Sequence, residues 1–211
     1  MEFITYSHRN GEDIFNSNPD LQAQWLEIDA ALSNITDERL IDYFESTFSG
    51  SQKSLSYAIN ALIKTELTEF GWSAESPIFG ESEYQSSRWR LDFAKGGAEG
   101  EHQGISIEVG FNHGGSVAWN LLKPVMASEL NHVKKAIQTR AGIIIAATNE
   151  LRDAGGFDGA IGTYEDYVHY LRPMYNVLTV PIVVIGLKSP KTFRIQHTKV
   201  GNKTTGSVVR Y

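Results

Sequence analysis

The chain has 211 residues, 41 % of them apolar and 21 % charged, with a net charge of −6; this fits one folded domain and excludes a disordered or fibrous chain. No apolar run approaches the ~20 residues that a bilayer crossing needs, and Met1-Glu2-Phe3-Ile4-Thr5 lacks the basic-then-apolar order of a secretory signal. With no cysteine, disulfides and thiolate zinc sites are excluded, and a cytoplasmic protein with no membrane partner is expected.

The first third reads as helical. Asn18-Pro19-Asp20 opens a segment with Leu21, Trp25, Ile28, Ala31 and Leu32 at helical spacing, capped by Asn18 or Asp20. Thr36 caps a second start that runs through Arg39-Leu40-Ile41 into Tyr43-Phe44, and Ser51 or Ser54 opens a third helix that ends at Gly71. The pattern then changes. Ser87 to Phe93 alternates apolar and charged residues as a half-buried strand does, Lys95 to Gly100 carries three glycines in six residues, and Gly104 to Phe111 is the next strand. These make a hairpin with one carboxylate on each arm, Asp92 and Glu108. Ser116 to about Ala136 reads as a helix with Pro124 near a kink or junction. Gly142 to Ala147 and Val180 to Gly186 read as buried strands, Pro181 sitting at the start or edge of the second. Between them, 148–163 is polar, glycine-rich and loop-like, and Thr163-Tyr164-Glu165-Asp166 resembles a capping box that opens a helix towards Leu171. The order implies an α/β fold with a mixed central β-sheet flanked by helices. One domain over 1–211 is expected: a helical part to about 72, an α/β core over about 73–187, and a basic segment over about 188–211.

The charges are unevenly spread. Residues 1–50 hold ten acids against Arg9 and Arg39, whereas 167–211 hold seven Lys and Arg and no acid. Such asymmetry suggests that one face meets a polyanion and another turns away, although a basic tail that is merely solvated reads the same way.

Asp92 and Glu108 carry the chemistry. Each stands between apolar neighbours, Leu91 and Phe93, or Ile107 and Val109, where an ionised carboxylate is costly unless a positive charge accompanies it. Hard cations such as Mg²⁺ take oxygen ligands from one or two carboxylates plus substrate phosphate, and in phosphodiester hydrolysis such an ion polarises the phosphoryl oxygen and helps generate hydroxide. Spacing alone favours the commoner arrangement, in which both acids lie on the solvent face of alternating strands. His113 has no second histidine at a metal-binding spacing, which disfavours zinc. Gly155-Gly156-Phe157-Asp158-Gly159 lacks the Lys-Ser/Thr of a phosphate-cradling loop.

Leu91-Asp92-Phe93 followed by Ile107-Glu108-Val109-Gly110-Phe111 resembles the paired acids of the PD-(D/E)xK nucleases, and within them the type II restriction endonucleases of the BglII, BstYI and BamHI group. Within that group, BglII and BstYI have Glu-Val-Gln-Phe in the second strand. The likeness extends in order through Ala61 to Leu67 with Gly71-Trp72, Ser128-Glu129-Leu130, Ala141 to Ile145, and Tyr175 to Leu187, covering roughly residues 55–187.

The resemblance implies a restriction-endonuclease-like core and a prokaryotic type II site-specific deoxyribonuclease. By the same resemblance it uses one or two Mg²⁺ per active site, acts as a homodimer on palindromic double-stranded DNA, and is partnered in the cell by a cognate DNA methyltransferase. It makes Asp92 and Glu108 the metal-binding acids, with the Val109 carbonyl beside them, and Glu75 a further catalytic position; Glu75 also reads as a surface loop glutamate. It leans towards a site with a GATC core cut to leave a 5′ overhang. DNA contacts are expected from Asn112, His113 and Ser116 after the second strand, where His113 reads equally as a loop or capping residue. Further contacts are expected from Lys95, from Asn149 in the loop after the core strand, and from Lys188, Lys191, Arg194 and Lys199 on phosphates. The departure is Gly110, which has no side chain where the family carries lysine, glutamine or glutamate. Lys95, Asn112 and His113 are the nearest substitutes in sequence. The same departure leaves open a catalytically weak DNA-binding protein, and a nuclease acting in repair or on modified DNA stays open beside it.

Overall fold

The computed structural model describes residues 1–97, 104–129, 132–201 and 203–211. The Ala98–Gly100 part of the expected turn, and Leu130 and Asn131 of the expected helix, lie outside these residues.

Six strands form one sheet: β1 (Phe3–His8), β2 (Ser73–Pro77), β3 (Arg90–Lys95), β4 (Ile105–Val109), β5 (Ala141–Ala147) and β6 (Ile182–Leu187), in the order β1-β6-β5-β4-β3-β2. The central strands β4, β5 and β6 are parallel, and β1, β3 and β2 run antiparallel to their neighbours. Every residue of β4, β5 and β6 is buried, as a sheet covered on both faces requires.

Four helices lie on the N-terminal side: α1 (Gly11–Ser17), α2 (Pro19–Ser33), α3 (Asp37–Thr47) and α4 (Ser56–Glu69). The core between them and the sheet contains Ile28, Leu40, Ile59 and Leu62 from α2, α3 and α4, packed with Ile105, Ile107 and Val109 of β4, Ile143 and Ile145 of β5, and Val183 and Ile185 of β6. The alternate residues Ile144, Ala146, Ile182 and Val184 point to the opposite face. There they meet Val117, Leu121 and Val125 of α5 (Val117–Ser128) and Tyr167 and Leu171 of α7 (Tyr164–Leu171). The period of two along each strand therefore assigns Glu108 to the α5/α7 face.

The expected caps of α2, α3 and α7 form, whereas α4 starts at Ser56 with Leu55 at its cap and no side-chain cap bond, so neither Ser51 nor Ser54 opens it. The Asn18 side chain accepts from the backbone N–H groups of Asp20 and Leu21, Thr36 accepts from Arg39, and Thr163 and Asp166 make a reciprocal capping box. Pro181 sits just before β6, where its carbonyl accepts from Gly142 N–H. Pro124 lies within α5.

Several elements differ from expectation. Phe3–His8 is a strand, and its ladder partner is β6, nearly the whole chain away; such an edge strand is specified by that long-range pairing and not by its own short pattern. Ser87–Trp89 is a 3₁₀ turn, so the first arm of the hairpin starts at Arg90. The 148–163 stretch begins with a helix, α6 (Asn149–Ala154), capped by Thr148. The basic C-terminal segment is no loose tail: β7 (Phe193–Val200) and β8 (Lys203–Arg210) form a separate antiparallel hairpin that buries Phe193 and Ile195.

Candidate active site

Asp92 and Glu108 come together because β3 and β4 separate at their outer ends. The ladder between them runs from Lys95↔Ile105 to Phe93↔Ile107 and stops one pair short of Asp92 and Glu108. In place of the next backbone bond, the Asp92 carboxylate enters the gap and its Oδ2 accepts from Val109 N–H at 2.6 Å. The two acids thus occupy the first opposed positions beyond the end of the β3–β4 ladder.

Burial dominates their electrostatics. Glu108 is 2 % exposed; desolvation first, and the neighbouring Asp92 charge second, push its pKa up to about 8. Asp92 is raised as well, chiefly by desolvation, against the opposing effect of the Val109 N–H. Glu108 Oε2 accepts from Lys123 Nζ of α5 at 2.6 Å, while Oε1 is buried with no hydrogen-bond partner among the described residues.

Two raised carboxyls with an orphaned oxygen fit a divalent ion. Asp92, Glu108 Oε1 and the adjacent Val109 carbonyl are the oxygen donors at hand. Among the described residues no group of three or more His, Asp and Glu side chains gathers to hold a metal. A Mg²⁺-type site does not require one, since one or two carboxylates plus water and phosphate suffice.

A cavity of about 200 Å³ opens beside Asp92, lined by Glu75, Val109, Asn112, and Asn60 and Lys64 of α4. Glu75 lies on β2 and takes a left-handed backbone with φ of 51°, a conformation that costs a non-glycine residue about 1 kcal/mol or more and collects at functional sites. Its charge contributes to raising Asp92. Asn60 and Lys64 had no signal in the sequence beyond their place on the helix that leads into the site.

Gly110 is where the structure alters the sequence reading most. A Cβ there would stand 2.2 Å from the Tyr167 hydroxyl and 2.7 Å from Cζ of the same ring. The position is filled from outside: Tyr167 of α7, 1 % exposed, occupies it and accepts a hydrogen bond from Asn120 Nδ2 at 2.8 Å. The cation beside the carboxylates is Lys123, with a side chain 12 % exposed. Sequence reasoning missed it; the available signal was a lone charge inside the apolar run Leu121-Leu122-Lys123-Pro124-Val125.

The remaining expected residues are scattered. Lys95 points to the other face of β3, where its ammonium contacts both Glu27 oxygens at 2.7 Å and the Phe70 carbonyl at 2.8 Å; it is not the substitute for Gly110, because strand alternation turns it away from Asp92. His113 caps the short turn after the site, its Nδ1 accepting from Gly115 N–H, and Ser116 N–H bonds back to the His113 carbonyl. Asn149 opens α6, with its N–H on the Glu165 carboxylate. Lys191 pairs with Glu2 and Arg210 with Glu38. Two exposed ion pairs therefore link the acidic N-terminal part to the basic C-terminal segment across the fold. Lys188 is half-buried, with its N–H on the Glu2 carbonyl, and Arg194 and Lys199 are exposed on β7.

A mixed sheet flanked by helices, with an acid on each arm of a splayed antiparallel strand pair, has the restriction-endonuclease architecture. A family model described as restriction endonuclease BglII/BglIII matches residues 3–187; the chain belongs to this family and is a type II site-specific deoxyribonuclease. Two solved structures match over the full length of both chains. One is a crystal structure of restriction endonuclease BglII complexed with a DNA 16-mer, at 18 % identity and a TM-score of 0.67. The other is free BglII, at 17 % and 0.53. No curated protein matches the sequence. The β7–β8 hairpin lies beyond the residues that the family model matches.

Proposed function

We propose that the chain acts as a single endonuclease domain that pairs with a second copy and hydrolyses one phosphodiester in each strand of a short palindromic duplex, using Mg²⁺ held by Asp92 and Glu108. The observation that carries the site is the orphaned, buried Glu108 Oε1 beside a second raised carboxyl. Asp92 and Glu108 would hold the divalent ion, which would supply the positive charge that polarises the scissile phosphate. Asp92 is oriented by the Val109 N–H so that its other oxygen is available. Glu75 faces the same cavity and is placed to orient the attacking water.

Around this centre, Asn112, His113 and Ser116 contact the duplex next to the cut, Asn149 does so from the start of α6, and Lys188, Arg194 and Lys199 meet phosphates. Two-fold symmetry supports the dimer: a palindrome is matched by a protein with the same axis. A GATC core with a 5′ overhang is the preferred site, by analogy with the family. A cognate DNA methyltransferase in the same prokaryotic cytoplasm protects the host's own copies.

The test is to incubate unmethylated phage DNA with Mg²⁺ and the wild-type protein, Asp92→Asn or Glu108→Gln, with Ca²⁺ as a binding control. Discrete fragments from the wild type, and a rate at least 10³-fold lower in either variant with Ca²⁺-supported binding retained, are expected. Intact DNA in every lane with a retained gel shift would move the reading to a binding-only protein. A smear in place of discrete bands would point to a nuclease without a fixed site.

A further inference from the structure

Gly110 leaves the third position of the motif without a side chain, yet the space beyond it is not open. The Tyr167 ring fills it, so no residue larger than glycine fits at 110 while α7 keeps its place. The charge that this strand lacks arrives from the next helix. Gly142 lets α5 lie close on β5, since a Cβ there would be 2.4 Å from Cβ of Pro124. This close approach sets the neighbouring Lys123 over the sheet, with Nζ 2.6 Å from Glu108 Oε2. The Glu108 carboxylate is thereby divided, one oxygen on the ammonium and the other unpartnered. Two other lysines stand differently: Lys95 is committed to Glu27 on the opposite face, and Lys64, exposed on α4, lines the cavity beside Asp92 and not the Glu108 oxygens that Lys123 meets.

We propose that Lys123 is a catalytic residue that replaces, from α5, the side chain missing at Gly110; this rests on the nuclease reading above. Its ammonium donates to Glu108 Oε2 and, with DNA bound, to a non-bridging oxygen of the scissile phosphate. In the reaction the water oxygen forms the new bond to phosphorus and one ester P–O bond breaks. The water proton passes to solvent, and the leaving oxygen takes up a proton from solvent. Lys123 stabilises the charge that gathers on the phosphoryl oxygens, from a site with little competing water. Tyr167 and Asn120 are positioning residues, holding the space at 110 closed and the lysine-bearing face of α5 in register.

The rival role for Lys123 is a placeholder that neutralises Glu108 only until an ion arrives. Single-turnover cleavage at saturating Mg²⁺, Ca²⁺ affinity by calorimetry, and duplex affinity in Ca²⁺ separate the two for the wild type, Lys123→Met and Lys123→Arg. Lys123→Met is expected to melt cooperatively, to bind Ca²⁺ at least as tightly as wild type, to hold the duplex within about threefold, and to cleave about 10²–10³-fold more slowly. Lys123→Arg is expected to recover part of that loss, because it keeps the charge. Wild-type cleavage together with Lys123→Met cleavage within threefold of it, at saturating Mg²⁺, would overturn the assignment and leave the nuclease reading standing. An inert wild type that still binds DNA would overturn both. If Lys123→Met fails to fold, Lys123→Gln takes its place under the same criteria.

Discussion

Burial at Glu108 ties stability to pH, and a metal site there as proposed would make that dependence sensitive to the ion. Burial raises the Glu108 pKa to about 8 against an ordinary 4.5. Between these values the folded protein holds a proton that the unfolded chain has released, so stability falls as pH rises through that window. At about 1.4 kcal/mol per pKa unit the full effect is on the order of a few kcal/mol. The metal-free wild type is expected to melt at a lower temperature at pH 8.5 than at pH 5.5, with Glu108→Gln flattening the difference. Adding Ca²⁺ should restore the wild type most at the higher pH, where the carboxylate is already ionised, and should release a proton on binding only below about pH 8, since a bound ion favours the ionised form. Scanning calorimetry across pH, with and without Ca²⁺, measures this; a wild-type profile parallel to that of Glu108→Gln would show that Glu108 titrates normally.

At the scale of elements, the site depends on how tightly α5 is pressed on the sheet. Gly142 lies opposite Ile182 in β6 and beneath Pro124 of α5. Gly142→Ala places a methyl group inside the Pro124 ring contact, and overpacking of this kind costs about 1–3 kcal/mol. Because Lys123 precedes Pro124, the shift of α5 should also draw the ammonium from Glu108. A lower denaturation midpoint in urea is therefore expected together with slower cleavage than the stability loss explains, measured well below the unfolding transition. Wild-type cleavage in a destabilised Gly142→Ala protein would mean that α5 adjusts without moving the site.

Across the whole molecule the charges redistribute. The acidic N-terminal part and the basic C-terminal segment are far apart in sequence but meet at Glu2 with Lys191 and at Glu38 of α3 with Arg210 of β8. Exposed ion pairs of this kind contribute little to stability; their consequence is that these cations are occupied locally. Arg194 and Lys199 remain exposed. Arg194→Ala/Lys199→Ala is expected to weaken duplex binding and reduce the slope of log affinity against log salt by about two, whereas Lys191→Ala leaves the slope unchanged. Fluorescence anisotropy over a salt series decides between them, and equal slopes for all three proteins would remove the hairpin from the DNA interface.

Local information in the sequence determined the helices that carry their own caps, the two continuous apolar strands, and the pair of acids. Asn18, Thr36 and Thr163 bond to backbone within three residues, and β5 and β6 are apolar at every buried position, so each signal is complete within a short window. What the tertiary structure alone decided depends on partners distant in the chain. Phe3–His8 became a strand through β6, and Lys95 was taken by Glu27. The gap at Gly110 was filled by Tyr167, and the cation of the site came from α5 by way of a contact between Gly142 and Pro124. Side-chain periodicity says which face a residue takes, but which helix covers that face, and how closely, is set by packing between elements that the chain brings together only on folding.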